Sequence, residues 1–334
     1  MKMKVTVICP VYNEGAYIKT FLSSLLNQDF PENEIEYLII DGMSIDGSLG
    51  YINDHCTKYT NFKLISNPKK YVPYALNLGV QNASGDIIVR LDAHASYPKE
   101  YISTLVYWLE ELKADNVGCP LETDVLNRNP KTIAIKTLLS STFGVGNSLF
   151  RTGVNSVREV DTVPFGCFKR DVFDKIGLFN CKLTRNQDIE FNKRLKQAGG
   201  RIFLIPFIKC KYFARESFSK LAYNNYQNGL WNMLTIYYTN NLKSISIRHI
   251  VPMLFISSLV IPILLVFISP YFAYLTLASL TLYLIFVLIN VLKFIKQCNP
   301  FYLAYSFFLM HFSYGLGSVV GVFNLIKFLF RNEK

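Results

Sequence analysis

The chain has 334 residues and a formal charge of +11, with 51% of its residues hydrophobic, enough for one large α/β domain and a smaller appendage. The Lys and Arg residues are scattered, with no basic helix or recognition motif, which argues against nucleic acid as a partner. Seven cysteines (9, 56, 119, 167, 181, 210 and 298) form no C-x-x-C pair and no zinc-like spacing, so a disulfide framework is excluded in favour of reduced thiols in a cytosolic compartment.

Lys2 and Lys4 are followed only by the short apolar run Val5–Cys9, too short for a signal peptide. The run reads as a strand of a parallel sheet buried on both faces. Ile18, Phe21, Leu22, Leu25 and Leu26 then recur at helical spacing. Ile35–Ile40 reads as a strand, Leu49–Cys56 as a helix, Phe62–Ser66 as a strand, Val72–Gln81 as a helix and Asp86–Leu91 as the fourth strand. This alternation predicts an α/β fold with an open, mostly parallel sheet and helices on both faces. From Val117 to Phe213 the pattern is less regular. Val163–Lys169 reads as a strand, Asp171–Ile176 and Asn186–Gln197 as helices, and Arg201–Ile205 as a strand after a helix end at Gly199-Gly200. Thr132–Arg151, with Ser140, Ser141, Gly144 and Gly146, reads as mobile surface.

The last third changes character. From Ile250 to Leu292 there is no Asp, Glu, Lys, Arg or His. At ~1.5 Å per residue and a bilayer core of ~30 Å, that run provides two crossings that turn at Ser269-Pro270. Arg248 and His249 precede it, and Lys293 and Lys296 follow. The positive-inside rule then puts both ends in the cytosol, as in a multi-pass protein of the cytoplasmic membrane. Lys209, Lys211, Arg215, Lys220, Lys243 and Arg248 form either a face toward anionic lipid or an ordinary solvated surface. Tyr302–Phe323 is a third apolar stretch, with Gly317 and Gly321 at the spacing of close helix contact. A crossing there puts Lys327, Arg331 and Lys334 outside, against the charge rule; a re-entrant segment does not. His311 within it is either a contact for a lipid phosphate or a packed, neutral imidazole. The expected organisation is an α/β domain over residues 1–215, a juxtamembrane region over 216–249 and a membrane region of two or three helices over 250–334.

Asp41 and Asp92 each stand just past the end of a predicted strand, where ligands bind in open α/β sheets. One carboxylate there can accept hydrogen bonds from a base or ribose while the other holds a metal against a diphosphate. Equally, Asp41-Gly42 and Asp92 can simply make turns. The combined pattern adds to this: Val7-Ile8-Cys9-Pro10-Val11-Tyr12-Asn13-Glu14, then Ile39-Ile40-Asp41-Gly42 with Ser44 and Asp46-Gly47-Ser48, then Ala83-Ser84-Gly85-Asp86 running to Leu91-Asp92-Ala93-His94. In order and spacing it resembles the family 2 glycosyltransferases of the GT-A fold, across roughly residues 4 to 205.

The resemblance implies a nucleotide-sugar donor, a UDP-sugar foremost, with Pro10, Tyr12, Glu14 and Asp41 lining the base and ribose pocket and Asp92 at the diphosphate. Asp92-Ala93-His94 falls where the family carries Asp-x-Asp, which implies a divalent metal, Mn²⁺ or Mg²⁺, held by Asp92. Histidine at the third position suits softer ions better than Mg²⁺. His94 is a metal ligand, a hydrogen-bond donor to the diphosphate or a loop cap. Asn186-Gln187-Asp188-Ile189-Glu190 resembles the family's acidic motif, with Asp188 as the general base that deprotonates an acceptor hydroxyl. The plainer reading of Asp188 is a helix-start residue favoured by the macrodipole. The implied reaction is one in-line displacement with inversion. Gln227 and Trp231 lie where processive members carry Gln-x-x-Arg-Trp, but Leu230 replaces the arginine, which points to one sugar per encounter. Trp231 either stacks on an acceptor sugar or settles at the membrane interface. The longer match, through Arg90–Ala95, Phe143–Gly146 and Arg185–Asp188, resembles the branch of succinoglycan-building glucosyltransferases, which implies a lipid-linked glycan acceptor in bacterial exopolysaccharide synthesis. A polyprenyl-phosphate monosaccharide synthase and an inactive membrane scaffold are the alternatives.

Overall fold

The computed structural model describes residues 3–239, 241 and 249–331; of the basic positions weighed above, Lys2, Lys243, Arg248 and Lys334 lie outside the described residues. The chain divides into two compact units, Met1–Glu122 with Leu149–Phe213, and Thr123–Ser148 with Ala214–Lys334. It opens with β1 (Val5–Val11), α1 (Ile18–Leu26), β2 (Ile35–Asp41), α2 (Ser48–Lys58), β3 (Phe62–Ser66), α3 (Val72–Asn82) and β4 (Ile87–Arg90). Next come β5 (Ala95–Ser96), α4 (Tyr101–Glu111), β6 (Asn116–Gly118), β7 (Leu121–Asp124), α5 (Pro130–Leu139), α6 (Thr142–Val145) and α7 (Leu149–Thr152). Then follow β8 (Arg158–Glu159), β9 (Cys167–Lys169), α8 (Asp171–Ile176), α9 (Gln187–Gln197), β10 (Ile202–Leu204) and β11 (Cys210–Phe213). The long helices α10 (Phe218–Thr239), α11 (Val251–Leu265), α12 (Phe272–Lys293) and α13 (Pro300–Arg331) complete the chain.

The main sheet of the first unit has the order β3-β2-β1-β4-β9-β6-β10-β8, and β5 pairs with β11 in a smaller one. β1 pairs in parallel with both β2 and β4, and β2 with β3, as the alternation predicted. β9 departs from this, running antiparallel to β4 and to β6. Val5, Val7 and Cys9 point into a cluster with Ile18, Phe21, Leu22 and Leu25 of α1. Ile8, the next residue in the alternation, points into the opposite cluster with Ala75, Leu76 and Val80 of α3 and Phe191 of α9. Helices therefore cover both faces, which is why the β1 run is apolar throughout and not alternating.

Among the described residues of the second unit, α12 and Pro300–Phe328 of α13 are the two helices long and apolar enough to cross a membrane, by length and composition. The first candidate crossing forms only α11, 15 residues or ~22 Å, less than a ~30 Å bilayer core. α12 turns a row of large apolar side chains outward, among them Leu277, Leu282, Leu284 and Leu288, each 57–59% exposed. α10 and α13 run side by side in the same direction, with Phe218 beside Tyr302, Gly317 against the Tyr226 carbonyl, Gly321 against Met233, and Tyr237 beside Phe328. Gly317 and Gly321 do mark a close helix contact, and the partner is α10. A methyl group on Gly229 would overlap the Tyr314 carbonyl.

One expectation is corrected here, and the alternatives for His311 are decided in favour of packing. Thr132–Arg151 is not mobile surface; much of it is helical. Asn129 caps α5 through a reciprocal pair with Thr132 (3.1 and 3.0 Å), and Pro130 suits the first turn. Ala134, Ile135 and Leu138 are then buried in one cluster with Tyr283, Val287, Leu303 and Phe307. His311 is a packed imidazole, its Nδ1 3.2 Å from the Tyr283 hydroxyl and its Nε2 3.0 Å from the Phe143 carbonyl.

Glu36, buried on β2, ties the start of the main sheet together. Its Oε1 accepts from Thr6 Oγ1 of β1 (2.6 Å) and from the Ser84 backbone and hydroxyl (both 2.7 Å), while Lys63 approaches Oε2 at 3.2 Å. Thr6 Oγ1 in turn receives the Gly85 N–H at 2.9 Å. A Cβ on Gly85 would meet the Lys4 carbonyl at 2.6 Å, so only glycine fits that close approach. Ser84 and Gly85 therefore serve the strand junction and not the ligand. Burial pushes the Glu36 carboxyl up, but the hydrogen bonds from Thr6, Ser84 and Lys63 outweigh it and hold the group at about 2, against an ordinary 4.5. The resulting stability is present above pH ~4.5 and lost as the pH falls toward ~2. A melting-temperature series over that range should show a steep acid limb in the wild-type chain and a flatter one in Glu36→Gln; identical slopes would remove Glu36 as the cause.

Candidate functional site

β1, β2 and β4 end at one edge of the sheet, and the order reverses there: β2 lies on one side of β1 and β4 on the other. Val11 of β1 pairs in register with Asp41, the last residue of β2. The two loops that leave this edge are stitched together. Asn13 N–H donates to Ser44 Oγ (2.9 Å), and Asn13 Oδ1 accepts from Ile45 N–H (2.9 Å). Glu14 N–H donates to Ser48 Oγ (3.0 Å), and Gly15 N–H to Asp46 Oδ2 (2.7 Å). Asn13 (φ 52) and Met43 (φ 64) occupy left-handed backbone, which these crossed bonds support. The residues Ser44, Asp46 and Ser48 of the sequence motif are thus loop fasteners.

Asp41 is buried within this frame. Oδ2 accepts from Ser44 N–H at 3.0 Å, whereas Oδ1 is buried with no hydrogen-bond partner among the described residues. A buried carboxylate oxygen of that kind calls for a donor from outside the chain. Pro10 is partly buried on β1, and Tyr12 presents a ring 45% exposed at the same edge. Lys70 Nζ lies 5.9 Å from the centre of that ring, a neighbour the sequence reading passed over.

On the other side of β1, His94 Nδ1 lies 3.1 Å from Glu14 Oε1, so the structure places the Glu14 carboxylate on this imidazole. Tyr212 packs edge-on to the ring at 5.2 Å, and the His94 carbonyl accepts from Phe213 N–H at 3.0 Å. The contact occupies Nδ1 and leaves Nε2 as the ring nitrogen away from Glu14. Asp92 is fixed through its backbone: its N–H donates to the Tyr97 hydroxyl at 2.9 Å. Cys9 lies buried close by, and burial first, then the Asp92 charge, pushes its thiol well up, so it offers no thiolate nucleophile.

Arg90, the last residue of β4, joins the two ends of the predicted chemistry. Its Nη2 donates to both Asp92 oxygens at 3.2 and 3.3 Å, and its Nη1 lies 3.7 Å from Asp188 Oδ2. Burial works against the guanidinium charge, but Asp92 and then Asp188 outweigh it and keep the group protonated. Asp188 sits in the first turn of α9, entered through Asn186 in left-handed backbone (φ 62), and 35% of its side chain is exposed. Neighbouring Glu190 is occupied differently, paired with Arg194 at 2.9 Å. Asp92 and Asp188 are therefore brought to one guanidinium, and Glu14 to His94. Gln227 and Trp231 are on α10 in the second unit, where the Trp231 ring stacks on Tyr238 at 6.2 Å. Arg90 was part of the matched run but was given no role by the sequence reading; its signal was an arginine two residues before Asp92 in a strand expected to be buried.

Among the described residues, no group of three or more His, Cys, Asp or Glu side chains forms a ready metal site. Asp92 and His94 stand two residues apart just past β4. Mg²⁺-like ions bind through one or two protein groups. Two groups of this kind fit an ion whose shell a phosphate-bearing ligand and water complete.

An open α/β sheet with carboxylates at its switch-point edge defines a protein that binds a nucleotide-type ligand there. Residues 6–177, more than half of the chain, match the pattern of Glycosyl transferase family 2, and the chain belongs to that family. It is 28% identical over 224 residues to the dolichyl N-acetyl-α-D-glucosaminyl phosphate 3-β-D-2,3-diacetamido-2,3-dideoxy-β-D-glucuronosyltransferase of Methanococcus voltae, covering 65% of this chain and 68% of the relative. Succinoglycan biosynthesis protein ExoA of Rhizobium meliloti is 26% identical, with 67% of each chain covered. Among solved structures, the mannosyltransferase PcManGT of Pyrobaculum calidifontis, in complex with GDP-Man and Mn²⁺, superposes with a TM-score of 0.59 at 16% identity over 97% of this chain and 88% of that one. S. aureus TarS 1-349 in complex with UDP-GlcNAc gives 0.53 at 16% identity over 96% and 92%. These likenesses establish the GT-A fold.

The loop fastening gives a direct test. Asp46→Ala removes the acceptor for Gly15 N–H and Ser48 and frees the loop that carries Tyr12 and Glu14. Nucleotide affinity measured by calorimetry should weaken by about tenfold, the loss of one or two net hydrogen bonds. Unchanged affinity would separate the fastening from the binding edge.

Proposed function

We propose that this chain is an inverting glycosyltransferase that moves one sugar from a nucleotide-sugar donor to a lipid-linked glycan at a membrane, with Asp188 as general base. The observation that carries the reading is the Arg90 contact with both Asp92 and Asp188, which sets a donor-side carboxylate and an acceptor-side carboxylate at one place. Asp41, with its buried free oxygen, receives the base or ribose beside the Tyr12 ring. The acceptor hydroxyl gives its proton to Asp188 as its oxygen forms the new bond to the anomeric carbon. The bond from that carbon to the diphosphate oxygen breaks in the same step, and the electron pair leaves with the nucleoside diphosphate. No covalent sugar–enzyme intermediate is needed, so no second carboxylate acts as a nucleophile.

Asp92 and His94 Nε2 would hold a divalent ion, which when bound would supply counter-charge to the diphosphate. An imidazole ligand favours Mn²⁺ over Mg²⁺. The lipid-linked acceptor is supported by the name of the M. voltae relative, whose acceptor is a sugar on dolichyl phosphate. It is supported also by the two helices long enough to cross a bilayer and by the outward apolar row of α12. Residues 250–334 are in this reading the membrane region of a cytoplasmic-membrane enzyme, and the first unit is the donor-binding part, facing the cytosol.

Asp188→Asn should lower transfer by about a thousandfold or more, in the upper range of general-base effects, while UDP or GDP affinity stays within about threefold. Turnover that survives the substitution would reject Asp188 as the base. For the metal, the Mn²⁺/Mg²⁺ activity ratio and the affinity of the Mn²⁺–nucleotide complex should both fall in His94→Asp. Ratios equal to wild type would exclude His94 as a ligand.

A further inference from the structure

We infer that Arg90 is a positioning residue for the transfer step, holding the carboxylates of Asp92 and Asp188 in one frame so that base and donor are aligned through a single guanidinium. The inference rests on the reading of Asp188 as the base.

Arg90 belongs to a strand flanked on both sides, by β1 and β9, and its side chain is only 8% exposed. A charge in that position is strongly unfavourable unless it is matched. The match comes from two elements far apart in the chain: Asp92, just beyond β4, through Nη2 at 3.2 and 3.3 Å, and Asp188, on α9, at 3.7 Å from Nη1. Two other arginines of the same unit show what a purely structural guanidinium does here. Arg170 donates to the carbonyls of Ala83 (2.6 Å) and Gly85 (3.3 Å). Arg194 donates to the carbonyls of Ile176 and Leu178 while pairing with Glu190. Both fasten backbone. Arg90 faces the two carboxylates instead, and its Nε is buried with no hydrogen-bond partner among the described residues.

The chemistry suits alignment better than proton transfer. A guanidinium does not exchange protons near neutral pH, so it does not compete for the proton that Asp188 receives. Its planar fork fixes direction as well as charge, which a lysine ammonium does not. The loss of Arg90 should therefore lower the rate of the bound complex and spare donor binding.

The test uses the full-length chain in detergent, with nucleoside diphosphate release followed in the presence of a bacterial lipid extract. UDP-GlcNAc, UDP-glucose and GDP-mannose are the probes, and the one that turns over fastest is carried forward. Arg90→Gln should lower kcat by about a hundredfold, with donor KM and UDP or GDP affinity within about threefold of wild type. Arg90→Lys should recover about a tenfold part of that loss, since charge returns without the fork. Adding Arg90→Gln to Asp188→Asn should cost less than about threefold more, because both act on one step. Losses that multiply would overturn the inference, as would a fall in affinity and melting temperature with kcat unchanged. If Arg90→Gln does not fold, Arg90→Lys decides: lower kcat at unchanged KM and melting temperature supports the inference, and unchanged kcat overturns it. Full turnover by Asp188→Asn would reject the base and this inference with it, a result distinct from multiplying losses at an essential Asp188.

Discussion

A guanidinium charge buried in the middle of a sheet constrains everything near it. Arg90 ends a strand flanked by two others, with almost no access to water, and a bare charge there would cost a large share of a small domain's margin of stability. The fold must therefore bring anions to it. One comes from just beyond the same strand, two residues on, at Asp92. The other comes from the first turn of α9, where the backbone turns left-handed at Asn186 to enter the helix. Desolvation thus dictates where two carboxylates stand, independent of any ligand, and the same placement makes them available for chemistry.

A second requirement is that the loops at the sheet edge hold still. Parallel strands end abruptly, and their N–H and C=O groups need partners beyond the ladder. Here each loop serves the other: Asn13 donates to Ser44 and accepts from Ile45 across the gap, and Asp46 collects Gly15 and Ser48. Asp41 sits beneath this weave with one oxygen used to fasten Ser44 and one left over. Fastening by one oxygen is what keeps the other aimed. Much of a motif that looks like a ligand signature is thus local structure that makes a few ligand contacts possible.

How far this could be read in advance varied with the range of the interaction. The apolar run of β1 declared a strand covered on both faces, because burial on two sides leaves no alternation to misread. Asp41 was expected just past β2 and is its last residue, a shift too small to move its side chain from the edge. Local signals failed at residues 132–151. Ser140, Ser141, Gly144 and Gly146 are loop-like within any short window, yet Ile135 and Leu138 are buried against Leu303 and Phe307, more than 160 positions later in the chain. The antiparallel β9 was likewise beyond reach, since strand direction is set by connections and not by composition. Arg90 could be seen in the sequence, but its meaning depended on Asp188 arriving from α9. Glu14 and His94 were each expected at the donor; that they meet is a fact of tertiary structure alone.

The same logic applies to the polar helix α10. Its sequence carries Asn224, Asn225, Gln227, Asn228 and Asn232, a composition that would resist insertion into hydrocarbon by an isolated helix. Yet it runs in step with α13, one of the two helices long enough to cross a bilayer. The glycines at 229, 317 and 321 let the two backbones touch, and Asn225, Asn232, Thr235 and Ser318 are buried. Asn232 reaches the Tyr314 hydroxyl on α13, and Asn225 returns to the Leu221 carbonyl. Polar groups satisfied in this way act as attachments between helices, as small and amide-bearing residues do within membranes. Because the contacts advance together from Phe218–Tyr302 to Tyr237–Phe328, α10 cannot sit at a different depth from the part of α13 it accompanies. Whatever depth that part of α13 reaches, α10 reaches with it, and Trp231 with α10.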